Sequence, residues 1–347
     1  MSIRFGIMLP IPTVEVGKII SIAKVNEDAG FDSIWAPDHL LFIPEGITPN
    51  TLSILSALSV STSRIILGTC VSDPHRLHPA VTAQILATID QLSNGRLIFG
   101  IGIGEAMNLT PFGINRDKRL AKLSEFIYIM RKLWKGEKFS YEGKYWKLKD
   151  AFLQIRPVKD RIPIYIGANK PKSLRLTGKI ADGWLPGPLT PRLYEKYLKI
   201  VYEGIKDAGR KLDEIDTAIY LYTCISEDLD EVYNRLRQFK PLVISSPEKL
   251  IEAGYKVEIP EGLKPYYEIL PYNEDLIKFK QYGDLIPDEA LIEFSISGTI
   301  EQCIKKIEEY IKAGVKHFIL VNVGPNIKQV IEVYSKQIIP YFKGTYR

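Results

Sequence analysis

Cysteine is scarce in this sequence of 347 residues. The three cysteines, Cys70, Cys224 and Cys303, are odd in number and widely spaced, and no CxxC pair occurs. Neither a disulfide framework nor a zinc site is therefore expected. No apolar run approaches the roughly 18 residues that span a bilayer, and residues 1–10 lack the regions of a signal peptide. We expect a cytoplasmic protein in a reducing compartment, with no membrane partner.

A strong excess of charge of either sign is also absent. Lys and Arg number 46 and Asp and Glu number 41, which leaves a net charge of +5. Nucleic-acid-binding proteins usually carry a clustered basic excess, so we expect no nucleic-acid partner. At most, this balance favours small anionic molecules.

Several catalytic motifs are missing as well. No HExxH, GxSxG or Walker sequence occurs, so metalloprotease, serine hydrolase and P-loop functions have no support, and no metal site is predicted. The glycines at 100, 102 and 104 suggest a dinucleotide-binding GxGxxG. That motif fails, because Glu105 or Met107 stands where its last glycine is needed.

Short β-branched runs alternate with longer segments of helical periodicity, and 46% of the residues are hydrophobic. The runs predict eight strands, at residues 4–9, 33–36, 65–71, 96–101, 162–167, 183–185, 217–225 and 317–323. The principal helices are predicted at 14–29, 51–62, 79–92, 118–133, 172–180, 193–208, 230–238, 300–313 and 327–341. Eight alternating units whose strands are apolar on both faces favour an α/β fold, a closed (β/α)8 barrel. An open doubly wound sheet is the alternative.

Two segments interrupt the alternation within a single predicted domain of residues 1–347. Residues 138–148 predict a hairpin that turns at Glu142 and Gly143. Residues 241–294 lie between the seventh and eighth strands and contain six prolines. Loops of that length are usually lids or interface elements. Three tyrosines of this insertion either line a site or pack in an interface: Tyr266, Tyr267 and Tyr272.

Catalytic groups of a (β/α)8 barrel come from the carboxyl ends of its strands. His39 follows the second strand beside Asp38, where it is either an acid, a base or a structural residue. Glu105 follows the fourth strand after two glycines, where it is either a ligand-facing carboxylate or a residue favoured by a helix dipole.

The segment after the fifth strand, residues 167–171, precedes a predicted helix. Free amides at a helix N-terminus bind phosphate, and Lys170 and Lys172 add positive charge. An ordinary turn between strand and helix is the alternative.

Four stretches together resemble one family. They are GFDSIWAPDHL at 30–40, and the longer segments 64–108, 162–185 and 294–325. They are similar to the luciferase-like superfamily of (β/α)8 barrels, and specifically to its branch that uses the deazaflavin coenzyme F420. The first and last stretches resemble methylenetetrahydromethanopterin reductases. GEAMN at 104–108 is more similar to F420-dependent secondary alcohol and glucose-6-phosphate dehydrogenases.

The resemblance implies a role for individual residues. His39 would be the acid/base or alkoxide-stabilising group, oriented by Asp38, and Glu105 would protonate the ring or balance its charge. Residues 70 and 71 match a non-prolyl cis peptide that backs the ring. Lys196 matches a substrate-phosphate ligand, although the tryptophan that those dehydrogenases carry after the histidine is absent. The implied cofactor contacts are Asp38, Thr69, Cys70, Val71, Gly104, Glu105, Asn108, Ala168, Asn169 and Lys170.

The implied activity is hydride transfer between C5 of the deazaflavin and a small organic substrate of the alcohol, hemiacetal or reduced-pterin type. One alternative is an FMN-dependent monooxygenase on the same barrel. A second is a non-catalytic flavin-binding barrel, which would have no need for Asp38, His39 and Glu105 at three predicted strand ends. Members of the family are commonly dimers, so the resemblance also implies a homodimer.

Overall fold

The computed structural model describes residues 3–10, 15–43 and 46–346. Val14, where the first helix is predicted to begin, lies outside them. The strands are β1 (Arg4–Met8), β2 (Ser33–Ala36), β3 (Ile66–Thr69), β4 (Leu97–Ile101), β5 (Phe139–Glu142), β6 (Lys147–Ala151), β7 (Ile164–Ile166), β8 (Gly183–Trp184), β9 (Asp216–Ile225), β10 (Ile296–Gly298) and β11 (His317–Asn322).

Outside residues 240–293, which hold four helices that the sequence pattern does not predict, the helices follow the predicted spacing closely. They are α1 (Ile19–Asp28), α2 (Thr51–Ser61), α3 (Pro79–Leu92), α4 (Arg119–Trp134), α5 (Pro171–Ile180), α6 (Pro191–Asp207), α7 (Leu229–Arg237), α8 (Lys240–Val243), α9 (Pro247–Ala253), α10 (Asn273–Leu285), α11 (Asp288–Glu293), α12 (Ile300–Lys312), α13 (Ile327–Val333) and α14 (Ile339–Thr345). Proline stands at the first position of α3, α5 and α6, where its missing N–H costs no hydrogen bond.

Parallel strands close into a barrel in the order β1, β2, β3, β4, β7, β8, β9 and β11. β8 pairs with β9, and β11 returns to β1, so neither edge is left open. β2 and β4 are buried along their whole length, as expected for strands that are covered on both faces. The predicted (β/α)8 barrel is confirmed.

Two further features of the fold are not predicted by the sequence pattern. The short strand β10 pairs with the last three residues of β9, whereas β8 pairs with the first two. In addition, a π-helical turn, Tyr334–Ile338, joins α13 to α14. Three residues are too few to show a period.

The two segments that interrupt the alternation are each tied to the barrel. β5 and β6 form an antiparallel hairpin, and the Glu125 carboxylate of α4 accepts backbone N–H groups from Lys144, Tyr145 and Trp146. The larger insertion holds α9, α10 and α11. Its apolar side joins a cluster formed by Ile43, Met107, Tyr266, Ile269 and Phe279.

Helices α5 and α6 touch backbone to backbone. A Cβ atom on Gly178 would clash with the carbonyl oxygen of Val201, and one on Gly204 would clash with the carbonyl oxygen of Arg175. Only glycine permits this approach. The contact fixes the position of α5, whose N-terminus faces the cavity described below.

A polar network closes the amino-terminal end of the barrel. Ser33 Oγ lies 2.7 Å from His317 Nε2, and His317 Nδ1 lies 3.4 Å from an Asp216 oxygen. Asp216 also accepts from Arg4 and from the Tyr165 hydroxyl. The order serine, histidine, carboxylate resembles a catalytic triad, but the side chains of Ser33 and His317 are fully buried and do not line the cavity. We assign this network to stability, the usual role of this end of a barrel.

Candidate active site

A cavity of about 1070 Å³ opens at the carboxyl ends of the strands. The segments that follow β2, β3, β4, β7 and β8 line it, together with inward-facing residues of β9 and part of the large insertion. Its volume is at the upper limit of ordinary small-molecule sites. Most of the residues that the sequence singles out lie on its wall.

His39 and Glu105 lie side by side in this cavity. His39 Nδ1 lies 3.2 Å from Glu105 Oε2, and the Phe42 ring packs edge-on against the imidazole. Burial disfavours the charged imidazole, but the Glu105 carboxylate outweighs that effect, with a smaller contribution from Asp38, and the pKa of His39 is raised. Glu105 therefore acts on His39 through its charge, and its role at the deazaflavin ring, which the resemblance implies, stays a prediction.

Asp38 is held by a different group. Arg76 binds both Asp38 oxygens, at 3.1 and 2.7 Å, and its Nε lies 2.5 Å from Asp73. The sequence predicts that Asp38 orients His39. In the structure no hydrogen bond joins these two side chains among the described contacts, and Asp38 acts on His39 only through its charge.

Asn108 joins the two loops that carry this pair. Its Oδ1 accepts backbone N–H groups from Leu40 and Leu41, at 2.7 and 2.8 Å. Its Nδ2 lies 3.0 Å from both Glu105 Oε2 and His39 Nδ1. When His39 Nδ1 accepts, these four contacts use the full hydrogen-bonding capacity of a carboxamide, and in that state the side chain has none left for the predicted cofactor contact.

The floor beside this pair is formed by the segment after β3. The Cys70–Val71 peptide bond is cis, as the family resemblance implies. Both residues line the cavity, whereas Thr69 turns its hydroxyl to the Gly100 carbonyl at 2.6 Å and does not line it. Gly104 has a φ of +81°, and a Cβ there would lie 2.7 Å from Leu109, so glycine is needed at this wall position.

The segment before α5 forms a basic part of the wall. Asn169 and Lys170 line the cavity, and so do Lys172, Arg175 and Lys179 of α5. Ala168 does not line it, because its carbonyl accepts the indole N–H of Trp184 and its side chain is buried in the core. The arrangement can bind an anionic group at the helix N-terminus.

Aromatic residues line the part of the cavity formed by β9 and the insertion. Tyr220 and Tyr222 are alternate residues of β9 and face inward together. Burial raises the pKa of both phenols, so they remain neutral hydrogen-bonding groups. Tyr266 and Tyr267 line the cavity, which is one of the two alternatives open from the sequence, whereas Tyr272 does not line it and its side chain is exposed to solvent.

The predicted contact between Lys196 and a substrate phosphate is not supported. Lys196 lies in the second turn of α6 with 60% of its side chain exposed, and its Nζ lies 2.8 Å from Glu252 of α9. It is not part of the cavity wall. The apolar residues of α6 form the face that packs on the barrel, so Lys196 lies on another face of the helix.

Sequence reasoning missed Arg76, Tyr220 and Tyr222. Arg76 stands three residues after Asp73, just beyond a strand end, a spacing that could have indicated an ion pair. The two tyrosines alternate within an apolar strand and carry no signal that separates a cavity wall from a core.

Within the described ranges, no helix combines the length and apolarity needed to cross a bilayer. In the same residues, no group of three or more His, Cys, Asp or Glu side chains is arranged to hold a metal ion.

Comparison with known proteins connects the chain to a family. The family model for luciferase-like monooxygenases matches residues 3–317. The chain is 31% identical to an F420-dependent glucose-6-phosphate dehydrogenase of Microbacterium testaceum, over 98% of this chain and 97% of that protein. It is 32% identical to a 5,10-methylenetetrahydromethanopterin reductase of Archaeoglobus fulgidus, over 98% of this chain and 100% of that protein.

Solved structures agree with this fold. A coenzyme F420-dependent tetrahydromethanopterin reductase of Methanopyrus kandleri superimposes with a TM-score of 0.84 at 30% identity, over 99% of this chain and 100% of that one. An F420-dependent secondary alcohol dehydrogenase superimposes with a TM-score of 0.83 at 24% identity, over 97% and 98%, and supports the fold alone. The chain belongs to the luciferase-like family of (β/α)8 barrels.

Proposed function

We propose that the chain is a coenzyme F420-dependent oxidoreductase that transfers hydride between the deazaflavin and a small organic substrate of the alcohol, hemiacetal or reduced-pterin type. Relatives at 30% identity or more over nearly the whole chain carry F420-dependent or reductase names. The observation that carries the proposal is the close pair of His39 and Glu105, 3.2 Å apart, in a large cavity with a basic end.

The residues present fit such a cofactor. Asn169 Oδ1 is buried without a hydrogen-bond partner among the described residues, which a bound ligand would supply. A Cβ on Gly102 would lie 2.9 Å from a methyl group of Val71, so glycine keeps the surface beside Val71 open. We assign Cys70, Val71 and Gly104 to the ring, and the turn from Ala168 to Lys170 to the phosphate. Ala168 would act through its backbone.

When bound, the deazaflavin supplies a hydride acceptor or donor that does not activate oxygen. The chain's own residues handle the proton. His39 Nε2 has no partner among the described residues, so this nitrogen is available to the substrate oxygen. The carboxylate of Glu105 stabilises a positive charge on the imidazole of His39. Tyr220 and Tyr222 offer two further hydroxyl groups to the substrate.

The position of Lys196 bears on the substrate. Because this lysine is paired with Glu252 outside the cavity, it does not supply the cation that a sugar phosphate would need. We therefore favour an alcohol or reduced pterin over a sugar phosphate.

A binding and turnover experiment tests the proposal. The purified protein is titrated with F420 and with FMN, and binding is followed by absorbance. Secondary alcohols, glucose 6-phosphate and reduced pterins are then offered with F420 as acceptor. We expect F420 binding and loss of its absorbance with one substrate class. Tight binding of FMN with oxygen-dependent turnover, and no F420 binding, would instead support a monooxygenase.

We also propose a cytoplasmic homodimer. The three cysteines are buried and free, which suits a reducing compartment. Val60 of α2 and Val81 of α3 are exposed apolar residues on helices that pack together, and a second subunit would cover them. Light scattering on a sizing column measures the mass, and a monomer at micromolar concentration would contradict the dimer.

A further inference from the structure

The Asn108 carboxamide has a fixed orientation beside His39. Its Oδ1 accepts from two backbone N–H groups, those of Leu40 and Leu41. A backbone N–H can only donate, so the oxygen must face these residues and the NH₂ group must face Glu105 and His39. Which amide end meets the imidazole is therefore settled by the surrounding backbone.

Two groups compete for His39 Nδ1. Asn108 Nδ2, a donor, lies at 3.0 Å, and Glu105 Oε2, an acceptor, lies at 3.2 Å. A charged imidazole carries a proton on both nitrogens, so its Nδ1 donates to Glu105. A neutral imidazole has one proton only, and its Nδ1 can satisfy just one of the two neighbours.

The burial of Glu105 and Asn108 decides which of them Nδ1 contacts when His39 is neutral. The Glu105 side chain is 28% exposed, and its Oε2 already accepts from Asn108, so water and Asn108 can satisfy it. Asn108 is only 3% exposed, and its second N–H has no other acceptor among the described residues. A buried donor without an acceptor is costly.

We infer that Asn108 is a positioning residue that donates to Nδ1 of neutral His39 and so places the remaining proton on Nε2. Neutral His39 then presents an N–H group to the cavity, which suits a carbonyl or alkoxide oxygen. When His39 is charged, its Nδ1–H donates to Glu105 instead. The consequence for the substrate rests on the proposed function, whereas the position of the proton does not.

Other charges also act on His39. Glu105 and Asp38 favour its charged form, and Arg76 opposes it. Asn108 is an uncharged donor that favours the neutral form of His39. Removal of this donor should therefore raise the pH at which His39 loses its charge, and removal of the Glu105 charge should lower it.

Nitrogen NMR of the protein without cofactor or substrate tests the inference. The chain has only four histidines, and the His39 signals are those lost in His39→Gln. Above its titration midpoint, wild-type His39 should show the Nε2–H tautomer. Asn108→Leu should shift the tautomer ratio towards Nδ1–H by about fivefold, as expected for one hydrogen bond, and raise the midpoint.

Two further variants separate positioning from a structural role. Asn108→Asp keeps an acceptor for Leu40 and Leu41 but cannot donate, so it should also shift to Nδ1–H, and it carries the test if the leucine variant does not fold. Glu105→Gln should lower the midpoint and keep Nε2–H. The midpoint of the pH–rate profile should move in the same directions.

Two results would overturn the inference. One is neutral wild-type His39 with its proton on Nδ1. The other is an unchanged tautomer in both Asn108 variants, which would leave Asn108 as a clamp for the loop after β2. Because the NMR measurements need neither F420 nor substrate, they stand or fail separately from the proposed function.

Discussion

His39 is held between groups that act in opposite directions on its charge. Burial and Arg76 favour the neutral imidazole, while Glu105 and Asp38 favour the charged one. A general acid or base is most effective when its pKa lies near the working pH. This balance depends on three loops that come together only in the folded barrel, which makes single side chains here sensitive to substitution.

We expect His39→Ala to lower turnover by about 10² to 10⁴-fold, the usual contribution of a positioned acid or base. F420 affinity should change only a few-fold, because the proposed cofactor cradle is formed by other residues. Steady-state kinetics and a binding titration measure the two effects. His78→Asn is the matched control, since His78 caps α3 outside the cavity and asparagine also caps helices well. Turnover that survives within a few-fold would contradict the role of His39.

Arg76 is expected to matter for stability as well as catalysis. The side chains of Asp38 and Asp73 are only 8% and 5% exposed, and Arg76 pairs with both. Arg76→Met removes the cation that pairs with both buried carboxylates, and breaking a buried ion pair in this way typically costs about 3 to 5 kcal/mol. Denaturant unfolding measures the loss. Arg175→Met removes an exposed arginine that also pairs with two carboxylates, and equal losses in the two variants would contradict the special role of Arg76.

At the scale of elements, a charge clamp holds the insertion over the cavity. Glu268 accepts from Arg116 at 2.7 Å and from Arg119 at 2.6 Å, and it adjoins Tyr267 of the cavity wall. Both arginines come from the segment after β4, so the clamp ties the insertion to the loop that carries Glu105.

We expect Glu268→Gln to loosen the insertion, because the amide cannot pair with two guanidinium groups as a carboxylate does. The KM for the substrate should rise several-fold, and limited proteolysis within residues 254–272 should become faster. The control is Glu274→Gln, which breaks an exposed pair with Lys278 on the same insertion. If both variants behave like the wild type, the clamp does not hold the insertion.

The glycine contact between α5 and α6 leads to a second prediction at this scale. Gly204→Ala should push the helices apart, because the added Cβ meets a carbonyl of α5. Overpacking of this kind typically costs about 1 to 3 kcal/mol. F420 affinity should fall because the N-terminus of α5 moves. Gly209→Ala, at a position with open space but φ +65°, controls for strain alone, and unchanged F420 affinity in Gly204→Ala would contradict the coupling.

At the scale of the whole molecule, the network at the amino-terminal end of the barrel predicts acid sensitivity. Burial opposes the Asp216 carboxylate, but His317 and Arg4 outweigh it and lower the pKa of Asp216. Burial also lowers the pKa of His317. Both groups therefore bind fewer protons in the folded state than in the unfolded one. The contribution of these two groups to the free energy of unfolding is fully present above about pH 6.5. It should fall below that pH as His317 gains a proton, and again below about pH 4 as Asp216 does.

Unfolding measured at several pH values tests this expectation. His317→Asn should be less stable overall, and its stability should depend less on pH between about 7 and 5, because one titrating group is removed. An unchanged m-value shows that the same structure unfolds. A pH slope equal to that of the wild type would contradict the assignment.

Much of the barrel could be predicted because each strand and helix carries its own period. α3 begins and ends where the proline and the apolar spacing indicate. Strand β10 could not be predicted, since it exists only because β9 extends beyond β8 and offers a free edge. His39, Glu105 and Asn108 could be placed by their position after strands and by resemblance. Their mutual contacts, the pairing of Arg76 with Asp38 and the outward direction of Lys196 depend on three-dimensional packing.

The Glu268 clamp has one consequence for how the protein responds to its surroundings. Ion pairs that are partly exposed weaken as salt rises, because the Debye length falls from about 10 Å at 0.1 M to about 3 Å at 1 M. The contact between Gly178 and Gly204 is steric and is insensitive to salt. A rise in ionic strength should therefore loosen the insertion that lies over the cavity. The end of the cavity that we assign to the cofactor phosphate should keep its shape.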